Sequence, residues 1–202
     1  MSLVPSKLDH PSGWVEPRAP GVQIVKLPRP LTPSFEGLLA LLVTDLVGFT
    51  SLVERLGDVP AQRLIQYHNR LLRRCIKDRC GHEVTHTGDG MLAAFRSVSA
   101  ALWCAGDIQR ALAQDICGEE SARLRARIGV HVGEPLPEEE RLFGHCVNTT
   151  MRVCAKASAG GVLVTAVVEQ LAQGRFVFGR VRRHALKGIA SPMRLYELDW
   201  QS

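Results

Sequence analysis

The spacing of apolar and polar residues predicts a buried strand followed by amphipathic helices. The continuous apolar run Leu38–Thr44 ends in Asp45 and is typical of a strand buried on both faces. Apolar residues then recur every three or four positions from Leu64 to Ile76, which predicts a helix with one apolar face. By the same reasoning we predict helices at Gly48–Leu56, Ser97–Gln114, Gly144–Ala157 and Ala166–Ala172, strands at Glu83–Thr87, Met91–Phe95, Leu124–Val132 and Val162–Thr165, two last strands near Phe176–Val181 and Met193–Leu198, and a polar loop at Pro135–Arg141.

This order of elements predicts the fold class. Gly88-Asp89-Gly90 lies between two strand-like runs, and Asp-Gly in that position is a strong hairpin signal. The resulting order βααββαβ predicts an α/β fold of the α+β sandwich type. It would have a ferredoxin-like core with extra C-terminal αβ elements and a sheet covered by helices.

The prolines divide the chain into two parts. Seven of the eleven prolines lie within residues 1–33, a density that blocks helix and disfavours sheet. We therefore expect residues 1–35 to form a proline-rich arm or linker and residues 36–202 to form one folded domain.

The composition excludes several classes of protein. A hydrophobic fraction of 46% with 22% charged residues is that of a globular protein, and no apolar run approaches the ~18 residues of a membrane span. The first residues lack the pattern of a secretory signal, so we expect a cytoplasmic protein without a membrane segment.

The net charge of +5 does not distinguish a nucleic-acid surface, a phosphate-bearing ligand and a solvated surface. The spacing of Cys75 and Cys80 relative to His82 and His86 fits no closed zinc site, so buried thiols are expected.

Two aspartates occupy positions suited to metal binding. Asp45 follows the buried strand and Asp89 occupies the hairpin turn. Taken singly, Asp45 could be a helix N-cap and Asp89 a turn former. Together they could hold two divalent cations ~3.5–4 Å apart, while the N–H groups of Val47-Gly48-Phe49-Thr50 offer an anion site at a helix start. No Gly-x4-Gly-Lys-Ser/Thr stretch occurs, which excludes a P-loop enzyme.

Five ordered motifs carry a family resemblance. They are Thr44–Thr50, Thr87–Gly90, Arg127–Glu134, Phe143–Asn148 with Arg152, and Leu186–Gly188. In this order and spacing, over roughly residues 36–199, the chain resembles the catalytic domain of class III nucleotidyl cyclases, the adenylate and guanylate cyclase family.

The resemblance implies specific roles for these residues. Asp45 and Asp89 would bind two divalent cations per site, Mg²⁺ or Mn²⁺, with the Leu46 carbonyl as a further ligand. Asn148 and Arg152 would position the ribose and stabilise the transition state, and Lys187 would contact the triphosphate. The alternative structural roles are a helix cap for Asn148, a surface charge for Arg152 and a solvated amine for Lys187.

The resemblance also implies the reaction and the assembly. The 3′-hydroxyl of a nucleoside triphosphate would attack the α-phosphorus, forming a 3′,5′-cyclic nucleotide and releasing pyrophosphate. In the family, the metal aspartates and the Asn/Arg pair of one site come from different chains. A head-to-tail homodimer with shared active sites is therefore implied, and no nucleic-acid partner is expected because no stacking platform is evident.

The base-recognition positions depart from the adenylate pattern. Thr85 and Arg141 stand where adenylate-specific members usually place a lysine and an aspartate. Arginine presents only donors, whereas the adenine amino group needs an acceptor. ATP is therefore expected only because adenylate is the common product, and UTP, CTP or GTP are alternatives. If the loop shifts, Glu140 could instead supply the acceptor for the adenine amino group. A non-catalytic nucleotide-binding or regulatory domain is a third hypothesis, disfavoured by the presence of all five matched catalytic, metal and phosphate positions.

Overall fold

The computed structural model describes residues 37–114, 124–138 and 141–202, and the predicted proline-rich arm lies outside them. The strands are β1 Leu39–Leu46, β2 His82–His86, β3 Gly90–Phe95, β4 Ala126–Gly133, β5 Leu136–Glu138, β6 Arg141–Phe143, β7 Val162–Thr165, β8 Arg182–His184 and β9 Met193–Glu197. The helices are α1 Phe49–Leu56, α2 Asp58–Asp78, α3 Val98–Gln114, α4 His145–Cys154 and α5 Ala166–Ala172.

Seven of these strands form one mostly antiparallel sheet. Their order is β2-β3-β1-β4-β7-β9-β8, and only the pairing of β4 with β7 is parallel. A parallel pair requires a crossover connection, which α4 supplies. The first seven elements follow the predicted order βααββαβ, so the predicted fold class is confirmed.

The interior strand β1 is buried on both faces, as its apolar run predicts. Ala40 and Leu42 point into a core that is shared with α2, α3 and α5. Leu39 and Leu41 point to the opposite face, where α4 and β6 cover the sheet. The sheet is therefore covered on both faces, by α2, α3 and α5 on one side of β1 and by α4 with β6 on the other.

Two glycines of β4 allow α4 to lie directly on the sheet. Gly129 and Gly133 are four residues apart in a strand and so share one face. A Cβ atom on Gly129 would lie 2.7 Å from the Cα atom of Cys154, and one on Gly133 would clash with the Cβ atom of Cys146. Both cysteines are buried residues of α4. The position of this helix consequently depends on the missing side chains.

Two sequence-based predictions are wrong in detail. The expected polar loop at Pro135–Arg141 contains β5, which pairs antiparallel with β6. The buried side chain of Leu142 anchors β6 against α4, and β5 pairs with the strand that is held there. The expected strand near Phe176–Val181 is reduced to a single bridge between Phe178 and Leu198, and pairing with β9 starts later, at β8. The edge strand β8 is paired through backbone hydrogen bonds and its side chains are polar, so the pattern of apolar residues could not predict it.

None of the helices in the described ranges is both long enough and apolar enough to cross a membrane.

Candidate active site

The two aspartates singled out by the sequence lie side by side. Asp45 is the second-last residue of β1 and pairs with Gly90 of β3, which directly follows Asp89. The N–H of Thr87 donates to the Gly90 carbonyl at 2.9 Å and closes the turn that carries Asp89. A Cβ atom on Gly90 would clash with the Thr44 carbonyl, so only glycine lets the hairpin approach β1 this closely.

The electrostatics of the pair favour a bound cation. Both side chains are half-buried. Burial raises the pKa of the Asp89 carboxyl, and the negative charge of Asp45 raises it further. A cation placed between the two carboxylates would relieve this repulsion.

Arg127 compensates part of this charge and was given no role by the sequence reasoning. It is the cross-strand neighbour of Asp45 on β4, and its Nε donates to Asp45 Oδ2 at 2.7 Å. Its Nη1 also donates to the Ala155 carbonyl just beyond α4, at 3.3 Å. Arg127 thus connects the metal-binding candidate to the end of α4. Its sequence signals are its place at the start of the Arg127–Glu134 motif and a positive charge at the start of an otherwise apolar strand.

The capping alternatives for Asp45 and Asn148 do not hold. The residue at the N-cap of α1 is Gly48, and the one at the N-cap of α4 is Gly144. Neither N-cap makes a side-chain capping bond. Asn148 lies inside α4, while Asp89 does sit in a turn, as both of its interpretations require.

The start of α1 presents backbone N–H groups that could bind an anion. The first bond of the helix runs from the N–H of Leu52 to the carbonyl of Gly48, at 3.0 Å. No side chain caps this end and no acidic residue occupies the first turn. The N–H of Val47, however, donates to the Arg125 carbonyl at 2.8 Å. The N–H of Val47 is therefore already occupied within the chain, and those of Gly48-Phe49-Thr50 remain the candidates for the predicted anion site.

The second group of predicted residues lies on and beside α4. Asn148 and Arg152 are exposed and one helical turn apart, so they share a face. The Lys187 loop is attached to the same helix because Leu186 packs against Val153. Among the described residues, neither Arg152 nor Lys187 forms an ion pair with Asp45 or Asp89. Within one described chain, the carboxylate pair and the α4 group are therefore not joined by an ion pair.

The base-recognition positions lie on two strands. Thr85 is half-buried in β2, and Arg141 is exposed at the start of β6, opposite Glu138. Glu140, the alternative acceptor, lies outside the described residues. The structure leaves the choice of base open.

The donor set fits magnesium or manganese better than zinc. Within residues 37–114, 124–138 and 141–202, no group of three or more His, Cys, Asp or Glu side chains could hold a metal. Magnesium is often held by one or two carboxylates together with substrate phosphates and water. Asp45 and Asp89, with the Leu46 carbonyl beside them, match that arrangement.

The comparisons with known proteins identify the family. The model of the adenylate and guanylate cyclase catalytic domain matches residues 36–199. A crystal structure of an adenylate/guanylate cyclase/hydrolase from Silicibacter pomeroyi is 33% identical, with a TM-score of 0.70 over 80% of this chain and 96% of that one. An adenylate cyclase structure from Trypanosoma brucei, at 23% identity, has a TM-score of 0.73 over 85% of this chain and 92% of that one, and shows the shared fold.

Curated relatives point to the same family but are much longer. The adenylate cyclase of Mycosarcoma maydis is 32% identical in an alignment of 175 positions that covers 75% of this chain and 7% of that protein. A relative from Rhizobium meliloti is 30% identical in an alignment of 164 positions that covers 79% of this chain and 28% of that protein. The chain thus spans less than a third of the length of these two relatives. The matches confirm the resemblance carried by the motifs: this chain belongs to the class III adenylate and guanylate cyclase catalytic domain family.

Proposed function

We propose that the chain converts a nucleoside triphosphate into its 3′,5′-cyclic nucleotide and pyrophosphate, in an active site completed by a second copy of itself. The observation that carries the proposal is the placement of Asp45 beside Asp89, held by the pairing of Asp45 with Gly90. Two adjacent carboxylates next to an uncapped helix start suit a metal–triphosphate ligand.

Asp45 and Asp89, with the Leu46 carbonyl, would hold two Mg²⁺ or Mn²⁺ ions. When bound, these ions supply Lewis acidity that makes the ribose 3′-hydroxyl more acidic and neutralises charge on the phosphates. The hydrogen bond from Arg127 to Asp45 fixes the orientation of that carboxylate before substrate arrives. The N–H groups of Gly48-Phe49-Thr50 would bind the terminal phosphates.

Asn148 and Arg152 would act on the reacting end of the substrate. The Asn148 amide would orient the ribose, and the Arg152 guanidinium would neutralise the charge that grows on the α-phosphoryl oxygens. Lys187 would bind the triphosphate. Loss of one preorganised donor of this kind commonly lowers the rate by about 10²–10³-fold.

The lack of ion pairs between the carboxylate pair and the cations on and beside α4 supports the proposal of a head-to-tail homodimer. Arg152 and Lys187 are exposed and have no carboxylate partner among the described residues. Apolar surface adjoins them: the cross-strand pair Leu136 and Phe143 is about 60% exposed just before α4, and Met151 is 39% exposed on the helix. A two-fold arrangement would place α4 of each chain over the carboxylates of the other and would cover this surface.

ATP is the first substrate to test, because the Mycosarcoma maydis relative is an adenylate cyclase. UTP, CTP or GTP are the second candidates. The observation favouring them is Arg141, which is exposed and can only donate hydrogen bonds, whereas guanine and uracil present carbonyl acceptors.

The proposal is tested by incubating the purified chain with ATP, GTP, CTP and UTP in turn, with Mg²⁺ or Mn²⁺. We expect a 3′,5′-cyclic product from at least one nucleotide, lost in Asp45→Ala. Asp78→Ala, which removes an exposed acid at the end of α2, should keep full activity. If none of the four nucleotides reacts at concentrations that form dimers, the chain is a non-catalytic nucleotide-binding or regulatory domain.

A further inference from the structure

The positive charge of the chain is concentrated in one segment. Between Glu169 and Glu197 there are six arginines and lysines and no acidic residue, while the whole chain has a net charge of only +5. The proposed reaction uses a single member of this set, Lys187. The other five cations of the segment are Arg175, Arg180, Arg182, Arg183 and Arg194.

Two of these five cations line a pocket together with a third cation, which follows the end of α4. The pocket has a volume of about 200 Å³ and lies between the end of α4 and the edge strand β8. Lys156, Arg180 and Arg182 line it together with His184, and Glu197 is its one acidic group. With the imidazole neutral, the lining carries a net charge of +2. The polar groups surround an apolar floor formed by Leu163 and Leu195.

The register of β8 shows which cations face this pocket. Arg182 pairs with Leu195, whose side chain is buried with Val153 of α4, so Arg182 lies on the α4 face of the sheet. Its neighbour Arg183 pairs with Arg194 on the opposite face, because successive side chains of a strand alternate. Two adjacent arginines therefore carry the same charge but differ in their access to the pocket.

None of the pocket cations is held in an ion pair. The ion pairs in the described part of the chain involve Asp45, Asp78, Glu83 and Asp107, and none includes a pocket cation. Three cations that converge on one concave site against the single carboxylate of Glu197 create a field that attracts an anion. Arginine forks match phosphate oxygens in particular, since they donate two parallel hydrogen bonds.

The pocket lies close in sequence to the proposed catalytic residues of α4. Lys156 follows Arg152 by four residues, as Arg152 follows Asn148, and the N–H of Lys156 donates to the Val153 carbonyl at 3.0 Å in the final turn. Lys156 therefore lies in the turn just after α4, two residues beyond its last residue, Cys154.

We infer that this pocket is a second anion site, separate from the metal carboxylates, which binds a polyphosphate group. The group could be the pyrophosphate that the reaction releases or the phosphates of an intact nucleotide, and both present the same oxygens to Lys156, Arg180 and Arg182. Only the first source rests on the proposed function. The other explanation of these charges is that they keep edge strand β8 from pairing with another chain.

The test is titration of the full chain with inorganic pyrophosphate by calorimetry, at low salt and without divalent metal. Arg182→Gln should weaken binding about tenfold, the loss expected for one charge-assisted contact. Arg183→Gln, which removes the same charge from the opposite face, should change binding less than twofold, and Glu197→Gln should tighten it. Equal losses in the two arginine variants, or no binding at millimolar pyrophosphate, would overturn the inference.

Two further arms separate the source of the group from the existence of the site. Asp45→Ala should abolish cyclisation but still bind pyrophosphate, so a failure of the proposed reaction would leave this binding intact. If ATP competes with pyrophosphate in Asp45→Ala with equal affinity, the site accepts nucleotide phosphates. If pyrophosphate binds at least tenfold more tightly than ATP, the site is one for the released product.

Discussion

Replacing Gly129 by alanine tests whether the contact between β4 and α4 positions this helix, which carries the proposed catalytic residues. The new Cβ atom would lie 2.7 Å from Cys154 Cα and 2.9 Å from Cys154 Cβ, whereas carbon atoms pack at about 3.5–4.0 Å. The end of α4 must therefore move away by about 1 Å. Overpacking of this kind costs about 1–3 kcal/mol of the free energy of unfolding.

The same displacement should reduce the reaction rate. A misplacement of about 1 Å in catalytic groups can lower the rate by about 10²-fold, and Arg152 lies only two residues before Cys154. We therefore expect Gly129→Ala to lower both the urea midpoint and the cyclisation rate. Both quantities are measured on the purified variant under the conditions that give product with the unmodified chain.

Gly106→Ala provides the matched control. Gly106 lies within α3, and the atoms nearest its new Cβ atom belong to the Arg110 guanidinium, at 3.1 Å. That flexible side-chain end needs to shift by only a few tenths of an ångström, which its hydrogen bonds to Asp107 and the Trp200 carbonyl can accommodate. Alanine is favoured over glycine by about 1 kcal/mol inside a helix, so this variant should be at least as stable as the unmodified chain. A Gly129→Ala variant that unfolds at the unmodified midpoint and turns over at the unmodified rate would refute the packing argument.

Two further predictions concern pH and base choice. Burial lowers the pKa of His68 to about 4, and both of its ring nitrogens lack a hydrogen-bond partner. The unfolded chain therefore binds more protons than the folded chain between pH 6.5 and 4, and the free energy of unfolding decreases as the pH is lowered through that window. Between pH 7 and pH 5, His68 accounts for about 2 kcal/mol of this decrease. In urea titrations at pH 7 and pH 5, His68→Leu should remove that part of the decrease in the free energy of unfolding. The part due to His131 should remain, because burial lowers its pKa to about 4 as well. If the difference in stability between the two pH values is the same in the variant, the assignment to His68 is contradicted. Arg141→Asp should shift the ratio of rates towards ATP by supplying an acceptor for the adenine amino group, and an unchanged ratio would show that Arg141 does not read the base.

Much of the fold follows from local sequence patterns. The apolar run of β1, the Asp-Gly turn before β3 and the helical periodicity of α2 were all predictable because each depends on residues close together in the chain. Asp45 and Asp89 stood out for the same reason, since each sits at the end of a recognisable element.

The remainder depends on pairings between distant residues. Arg127 bonds Asp45 only because β1 and β4 pair in one particular register, and the N–H of Val47 is occupied only because Arg125 lies across from it. Edge strand β8 escaped prediction because its side chains are polar, although its register determines that Arg182 faces the pocket. Spacing along the chain contains no information about these alignments.

The central claim, a cyclase whose active site is shared between two copies, is tested most directly by mixing two inactive variants. Asp45→Ala lacks a metal carboxylate and Arg152→Ala lacks the transition-state cation, so each homodimer should lose at least about 10²-fold in rate. A mixed dimer would contain one site with both groups intact, and random pairing of equal amounts should restore about a quarter of the unmodified activity. Recovery to that level is the result we predict; a mixture no more active than the two variants measured separately would contradict the account.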